Sequence, residues 1–131
     1  HQNALWHSMC QTWDNQMSIY TPDLWCIVKT TNAEKTDTVY KVLASWYGGY
    51  LGGDSWQLSS GIKSARLNGE VVDLLQYSRS MYRVHKNNYG MSGYTSSIFA
   101  SWMKAEELPN YGTVELLTEL EAIEYICSIE K

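Results

Sequence analysis

"SWQLSSGIKSARLNGEVVDLLQYSRSMYRV", residues 55–84, is the stretch whose reading decides the fold. Apolar and polar residues alternate on either side of Asn68-Gly69, and this dipeptide between two such runs signals a two-residue type I′ hairpin turn. Setting Leu67 opposite Glu70 brings Ile62 opposite Leu75, Ser60 opposite Tyr77, Leu58 opposite Arg79 and Trp56 opposite Met81. One face then collects Trp56, Leu58, Ile62, Val71, Leu75, Tyr77, Arg79 and Met81, and alternation makes it the expected core face. Arg79, and beyond it Arg83 and His85, would point inward. A bulge at Ser59-Ser60-Gly61 would shift the register and return these bases to solvent.

An inward guanidinium needs a carboxylate, carbonyls, an aromatic face or an anionic ligand. Asp54 and Asp73 are the internal candidates. Tyr77, Arg79, Arg83, His85 and Tyr89 are therefore the expected ligand-binding set. Lys86 lies beside it, and Ser92, Thr95, Ser96 and Ser97 follow at a helix start whose free N–H groups favour anions. A phosphate-containing small molecule or RNA would suit these groups, and His85 is the alternative catalytic acid or base for phosphodiester cleavage. The same alternation of Arg and Ser before a helix cap also describes an inert strand, so no catalytic residue is expected.

Outward from this hairpin, "LWCIVKTT" and "TVYKVLASWYG" read as a second hairpin across "NAEKTD". "GGYLGGDS" reads as a connection, because it lacks the ending of a phosphate loop and the spacing of a dinucleotide fingerprint. Near the N-terminus Leu5, Met9, Trp13 and Met17 recur every four residues, predicting a helix capped by Asn3 and ended at Thr21-Pro22. Tyr94, Ile98 and Trp102 predict a helix capped by Ser92 or Thr95 and ended by Pro109. A last helix is expected from Thr113, with Leu116, Leu120, Ile123 and Cys127 as its buried stripe and the glutamates as its solvated face. The fold class is α+β: an N-terminal helix, a mostly antiparallel sheet of four or five strands, and two C-terminal helices on one face, in a single domain spanning 1–131.

The 131 residues carry 6 Trp and 10 Tyr against one Phe, a bias that suits binding surfaces. The net charge of -4 is unevenly distributed. Residues 29–86 are net basic, and residues 104–131 hold Glu106, Glu107, Glu115, Glu119, Glu121, Glu124 and Glu130 against Lys104 and Lys131. Neither pattern marks a general nucleic-acid binder. Cys10, Cys26 and Cys127 form no CxxC pair and are odd in number, which favours free thiols in a reducing compartment. No apolar run reaches the roughly 18 residues of a membrane span, and the N-terminus lacks the pattern of a signal peptide, so a cytoplasmic location is expected. Neither metal-ligand spacing around His85 nor a nucleophile elbow is visible, and no metal or cofactor is expected.

The pairing of "GDSWQLSSGI" with "SMYRVHKNNYGMSGY" resembles stretches of short phage and prophage proteins, over about a third of the chain. The resemblance implies an accessory product that binds and inhibits a protein of a bacterial host. The function expected is accordingly a non-enzymatic binding protein with a protein partner, and a homodimer is compatible with it. A nucleotide- or phosphate-binding protein built on the Arg/His/Tyr set is the alternative.

Overall fold

The computed structural model describes residues 18–32, 34, 37–48, 53–103 and 113–130. The N-terminal helix expected from Asn3 lies outside the described residues up to Met17. Its expected end, Ile19–Tyr20, is instead the short strand β1. The following elements are β2 (Leu24–Thr31), β3 (Thr38–Trp46), β4 (Ser55–Leu58), β5 (Ile62–Asn68), β6 (Val71–Gln76), β7 (Met81–His85), α1 (Gly93–Met103), β8 (Thr113–Leu116) and α2 (Glu119–Ile129).

The fold is α+β and mostly sheet. Among the described residues the strands form two four-stranded sheets, β1-β7-β6-β5 and β4-β3-β2-β8, in place of the single sheet expected. The division falls at Ser59-Ser60-Gly61. Ser59 closes β4 against β3: its backbone N–H donates to the Val42 carbonyl at 2.9 Å, and its Oγ accepts from the Val42 N–H at 2.8 Å. Gly61 then takes φ +140°, and a Cβ there would lie 2.8 Å from Val39 Cγ1 and 3.0 Å from Tyr77 Cδ2. Glycine alone accommodates both the angle and the approach, so one apparent strand becomes two that serve different sheets.

The β5–β6 hairpin is present in a different register. Asn68 pairs with Val71, so the two-residue turn is Gly69-Glu70, and Ile62 faces Gln76 across an irregularity between Ile62 and Ser64. Gly69 has φ +65° while Glu70 does not enter the positive region, the pattern of a type II′ rather than a type I′ turn. The turn displaces each pair by an even step and keeps the same residues on a common face, whereas the irregularity between Ile62 and Ser64 adds the odd step that sets Ile62 with Gln76 in place of Leu75 and so exchanges the buried face of β6. Val72, Leu74, Gln76, Tyr82 and Val84 are buried, and Val71, Leu75 and Met81 are not. Arg79 and Arg83 go outward.

The β2–β3 hairpin forms as read, from Leu24↔Ser45 to Thr31↔Thr38. Both faces of β2 are buried, with Trp25, Cys26, Ile27 and Val28 all at most 2% exposed. Trp25, Ile27, Val42 and Ala44 face the other sheet and α2, where they meet Val72, Leu74, Tyr82, Val84, Ala122 and Ile126. Cys26, Val28 and Leu43 face Phe99 of α1 and Val114 of β8, with Trp56 and Trp102 beside them. The two helices therefore serve different cores and do not share one face. A strand covered on both sides reads as a continuous apolar run, as "LWCIV" does.

The two sheets are tied through residues 85–90. Trp25 Nε1 donates to the His85 carbonyl at 2.7 Å, and the Gly90 N–H donates to the Trp25 carbonyl at 2.7 Å. Regular β2–β8 pairing ends at Val28↔Leu116, and the Leu117 N–H still donates to the Ile27 carbonyl at 3.0 Å. The reciprocal bond is replaced by a relay: Ile27 N–H donates to Tyr89 Oη at 3.1 Å, and Tyr89 Oη donates to the Leu117 carbonyl at 2.8 Å. The Tyr89 ring packs edge-on against Trp25, with centroids 4.9 Å apart. Tyr89→Phe would leave a buried donor and a buried acceptor unpaired, a cost of about 1–3 kcal/mol. Urea unfolding should show that loss, and an unchanged midpoint would contradict the relay.

Candidate functional site

The five residues expected to bind a ligand are distributed along a hairpin and the loop after it. Gln76 N–H donates to the Ser80 carbonyl at 2.8 Å and Arg79 N–H to the Gln76 carbonyl at 3.1 Å, closing a three-residue turn over residues 77–79. Arg79 ends that turn at φ +70°, the left-handed position such loops require, in spite of its Cβ. Tyr77 is 64% exposed. Arg83 projects from the outer face opposite Asp73, its Nε 2.9 Å from Oδ1 and its Nη2 3.4 Å from Oδ2. Asp73 also faces Arg66 in register, which sets two guanidinium-bearing positions on either side of one carboxylate.

His85 lies at the far end of β7, about 13 Å from Met81 at the usual rise per residue of a strand, while Arg79 sits in the turn before Met81. Its Nδ1 accepts from the Asn87 N–H at 3.3 Å, capping the short 3-10 turn Lys86–Asn88. Tyr89 is committed to the Ile27–Leu117 relay, and burial pushes its phenol well above the ordinary value. Asp73 is thus the internal partner of Arg83, and the set does not converge on one point.

The hydroxyl cluster downstream is likewise structural. Ser92 Oγ accepts from the Thr95 N–H at 3.1 Å as the cap of α1, and donates to Thr95 Oγ1 at 3.0 Å. Ser45 Oγ donates to the same Oγ1 at 2.8 Å, joining the cap to β3. Burial also pushes the Cys26 thiol up to about 12, which makes it inert at neutral pH. No group of three or more His, Cys, Asp or Glu suited to a metal ion occurs among the described residues. No helix among them is long and apolar enough to cross a membrane.

Two other features stand out. The first is an open groove of about 720 Å³ lined by Lys41, Trp56, Gln57, Leu58, Ser59, Ser60, Ser78, Ser80, Tyr82 and Trp102, between β4, the end of α1 and the β6–β7 turn. The second is the surface of α2. Its buried residues are Ala122 and Ile126, while Leu120 is 66% exposed, Ile123 46%, and Cys127 exposed too. The stripe expected in the core is therefore the outward one. Beside it an apolar crevice of about 70 Å³ is lined by Trp25, Leu67, Val72, Lys86, Tyr89, Glu119, Ala122, Ile123, Ile126 and Cys127.

α2 also starts later than the spacing predicts. The helix begins after Thr118, whose Oγ1 accepts from the Glu121 N–H at 3.2 Å while Glu121 Oε1 accepts from the Thr118 N–H at 2.9 Å. These bonds hold the Glu121 carboxyl below its ordinary range. "TELE", residues 118–121, carries this capping-box spacing in the sequence and is the signal that locates the helix. Residues 113–116, expected as its first turn, are strand β8.

No protein-family model matches the chain, and neither the curated proteins nor the solved structures contain a match to it.

Arg83→Ala tests whether the basic set carries more than an exposed ion pair. With the Arg83 side chain 45% exposed, the change in unfolding free energy should stay within about 1 kcal/mol. A larger loss in urea unfolding would assign Arg83 a structural weight that its exposure does not explain.

Proposed function

We propose that the chain is a non-enzymatic protein-binding module that docks a basic, amphipathic segment of a partner on α2. The observation that carries this reading is the outward Leu120 and Ile123 beside an apolar crevice floored by Trp25, Val72 and Ile126. Exposed apolar residues on a helix whose opposite side is already packed indicate an interaction surface, and a crevice of this size accepts one apolar anchor, the arrangement found at interface hot spots. The sign of the partner follows from the surroundings. The crevice itself is lined by Glu119 and Lys86, and over the whole segment 113–130 there are five glutamates, Glu115, Glu119, Glu121, Glu124 and Glu130, and no lysine or arginine, so the balance favours a partner bearing Lys or Arg around its anchor. The phage-type inhibitor of a host protein belongs to this same proposal, because inhibition by occupancy needs a docking face and no catalytic set.

The test uses a synthetic lysine/leucine amphipathic helical peptide as the probe, with a lysine peptide lacking leucines as control. Fluorescence polarisation should show saturable binding of the first peptide, weakened at least tenfold by the double change Leu120→Lys and Ile123→Lys. The thermal midpoint should not move, since both side chains are exposed. Equal binding of both peptides, or binding indifferent to the double change, would sink the proposal. Sedimentation supplies a second decision: a wild-type dimer made monomeric by the same changes would assign the face to a second copy of the chain and overturn the basic partner.

A further inference from the structure

The crevice beside α2 has a shape as well as a charged rim. Trp25, Val72 and Ile126 form its floor and are at most 3% exposed, and Ala122 beside them is 1% exposed. Side chains packed this closely do not yield space. The two rings that line it are fixed further by hydrogen bonds. Trp25 Nε1 donates to the His85 carbonyl at 2.7 Å, and Tyr89 Oη is held between the Ile27 N–H and the Leu117 carbonyl. The rings also meet edge-on with centroids 4.9 Å apart, so neither can turn aside without breaking these contacts. The movable wall is Ile123, which is 46% exposed.

We propose, resting on the docking reading above, that the partner's anchor is a branched aliphatic side chain, Leu, Ile or Val, and that the crevice rejects the aromatic anchors Phe, Tyr and Trp.

Three properties of the crevice select this class. The first is volume: a dry cavity of about 150 Å³ holds a benzene ring, whereas the crevice offers about 70 Å³, room for the three or four carbons of a branched aliphatic group. The second is its lack of free polar groups. The polar atom of each lining ring is already engaged, and Lys86, Glu119 and Cys127 are exposed, which puts them at the rim. A phenol or indole pushed inward would bury an O–H or N–H with nothing to receive it. The third is entropy. Leu and Ile lose less rotamer freedom on burial than Met or the stem of Lys, so among flexible side chains the branched ones insert at lower cost.

A lysine-rich helical peptide with one central leucine, compared with the same peptide carrying alanine, phenylalanine or tryptophan there, tests the anchor by fluorescence polarisation against the intact chain. The leucine peptide should bind at least tenfold tighter than each of the others. Ile123→Ala removes three carbons from the movable wall and should bring the phenylalanine peptide to within threefold of the leucine one, without lowering the thermal midpoint. A leucine peptide no tighter than the phenylalanine or tryptophan peptide overturns the inference, and so does an Ile123→Ala chain that keeps the full gap. NMR titration with 3-methylbutylammonium and benzylammonium, two cations that need no partner helix, separates this from the docking reading. The first should saturate while shifting the Val72 and Ile126 methyl signals, and the second should not. That result with no binding of any peptide would sink the docking reading and leave the aliphatic selectivity supported. Saturation by both cations, or by neither, overturns the selectivity itself.

Discussion

The hydroxyl of Tyr89 stands in for one rung of the β2–β8 ladder, and it binds the segment after β7 to β2 and to the entrance of α2. Ile27 is fully buried, so its N–H must find an acceptor, and the chain turning from β8 into α2 carries the Leu117 carbonyl out of direct reach. A phenol can accept and donate at once and spans the gap. The residue supplying it comes from the segment after β7, so one side chain links β2, the other sheet and the entrance to α2. Phenylalanine would fill the same space against Trp25 but could not relay the bond.

That tie sets which surfaces are left to act on a partner. With β2 buried on both faces, the β4-β3-β2-β8 sheet forms the central layer, α1 covers its outer side and α2 closes the core between the sheets. Ala122 and Ile126 alone are fully buried along α2, and its next apolar positions, Leu120 and Ile123, face outward. The switch at Gly61 has the complementary effect at the other end. It sends β4 and β5 into different sheets, and the open groove lined by Ser59 and Ser60 lies where they separate. Both surface features follow from where the chain changes layers.

Legibility in the sequence followed the strength of each local signal. The β2–β3 hairpin was readable because its runs are β-branched and bounded by polar turn residues, and the cap of α1 because Ser92 precedes the change of period. Asn68-Gly69 announced a hairpin correctly but not its register, since glycine serves the first position of a II′ turn as readily as the second of a I′ turn. The face was decided instead by the irregularity between Ile62 and Ser64, next to the bulge that Ser59-Ser60-Gly61 suggests: it sets Ile62 with Gln76 in place of Leu75 and turns Arg79 and Arg83 to the surface, and with them goes the reason for an anion site. The ladder of Leu116, Leu120, Ile123 and Cys127 misled because helical spacing identifies a face without saying what covers it. Tyr89 was not legible in sequence as a relay, because its partners, Ile27 and Leu117, are distant along the chain.

The relay is tested most directly by the hydroxyl proton of Tyr89 itself. A hydroxyl proton donated to the Leu117 carbonyl, on an oxygen that accepts from the Ile27 amide, exchanges slowly with water, so NMR of the wild-type chain should show a tyrosine hydroxyl resonance with a cross-peak to the Ile27 amide, and that amide should be strongly protected. A Tyr89 hydroxyl lost to rapid exchange, together with an Ile27 amide that exchanges freely in the folded protein, would contradict the account.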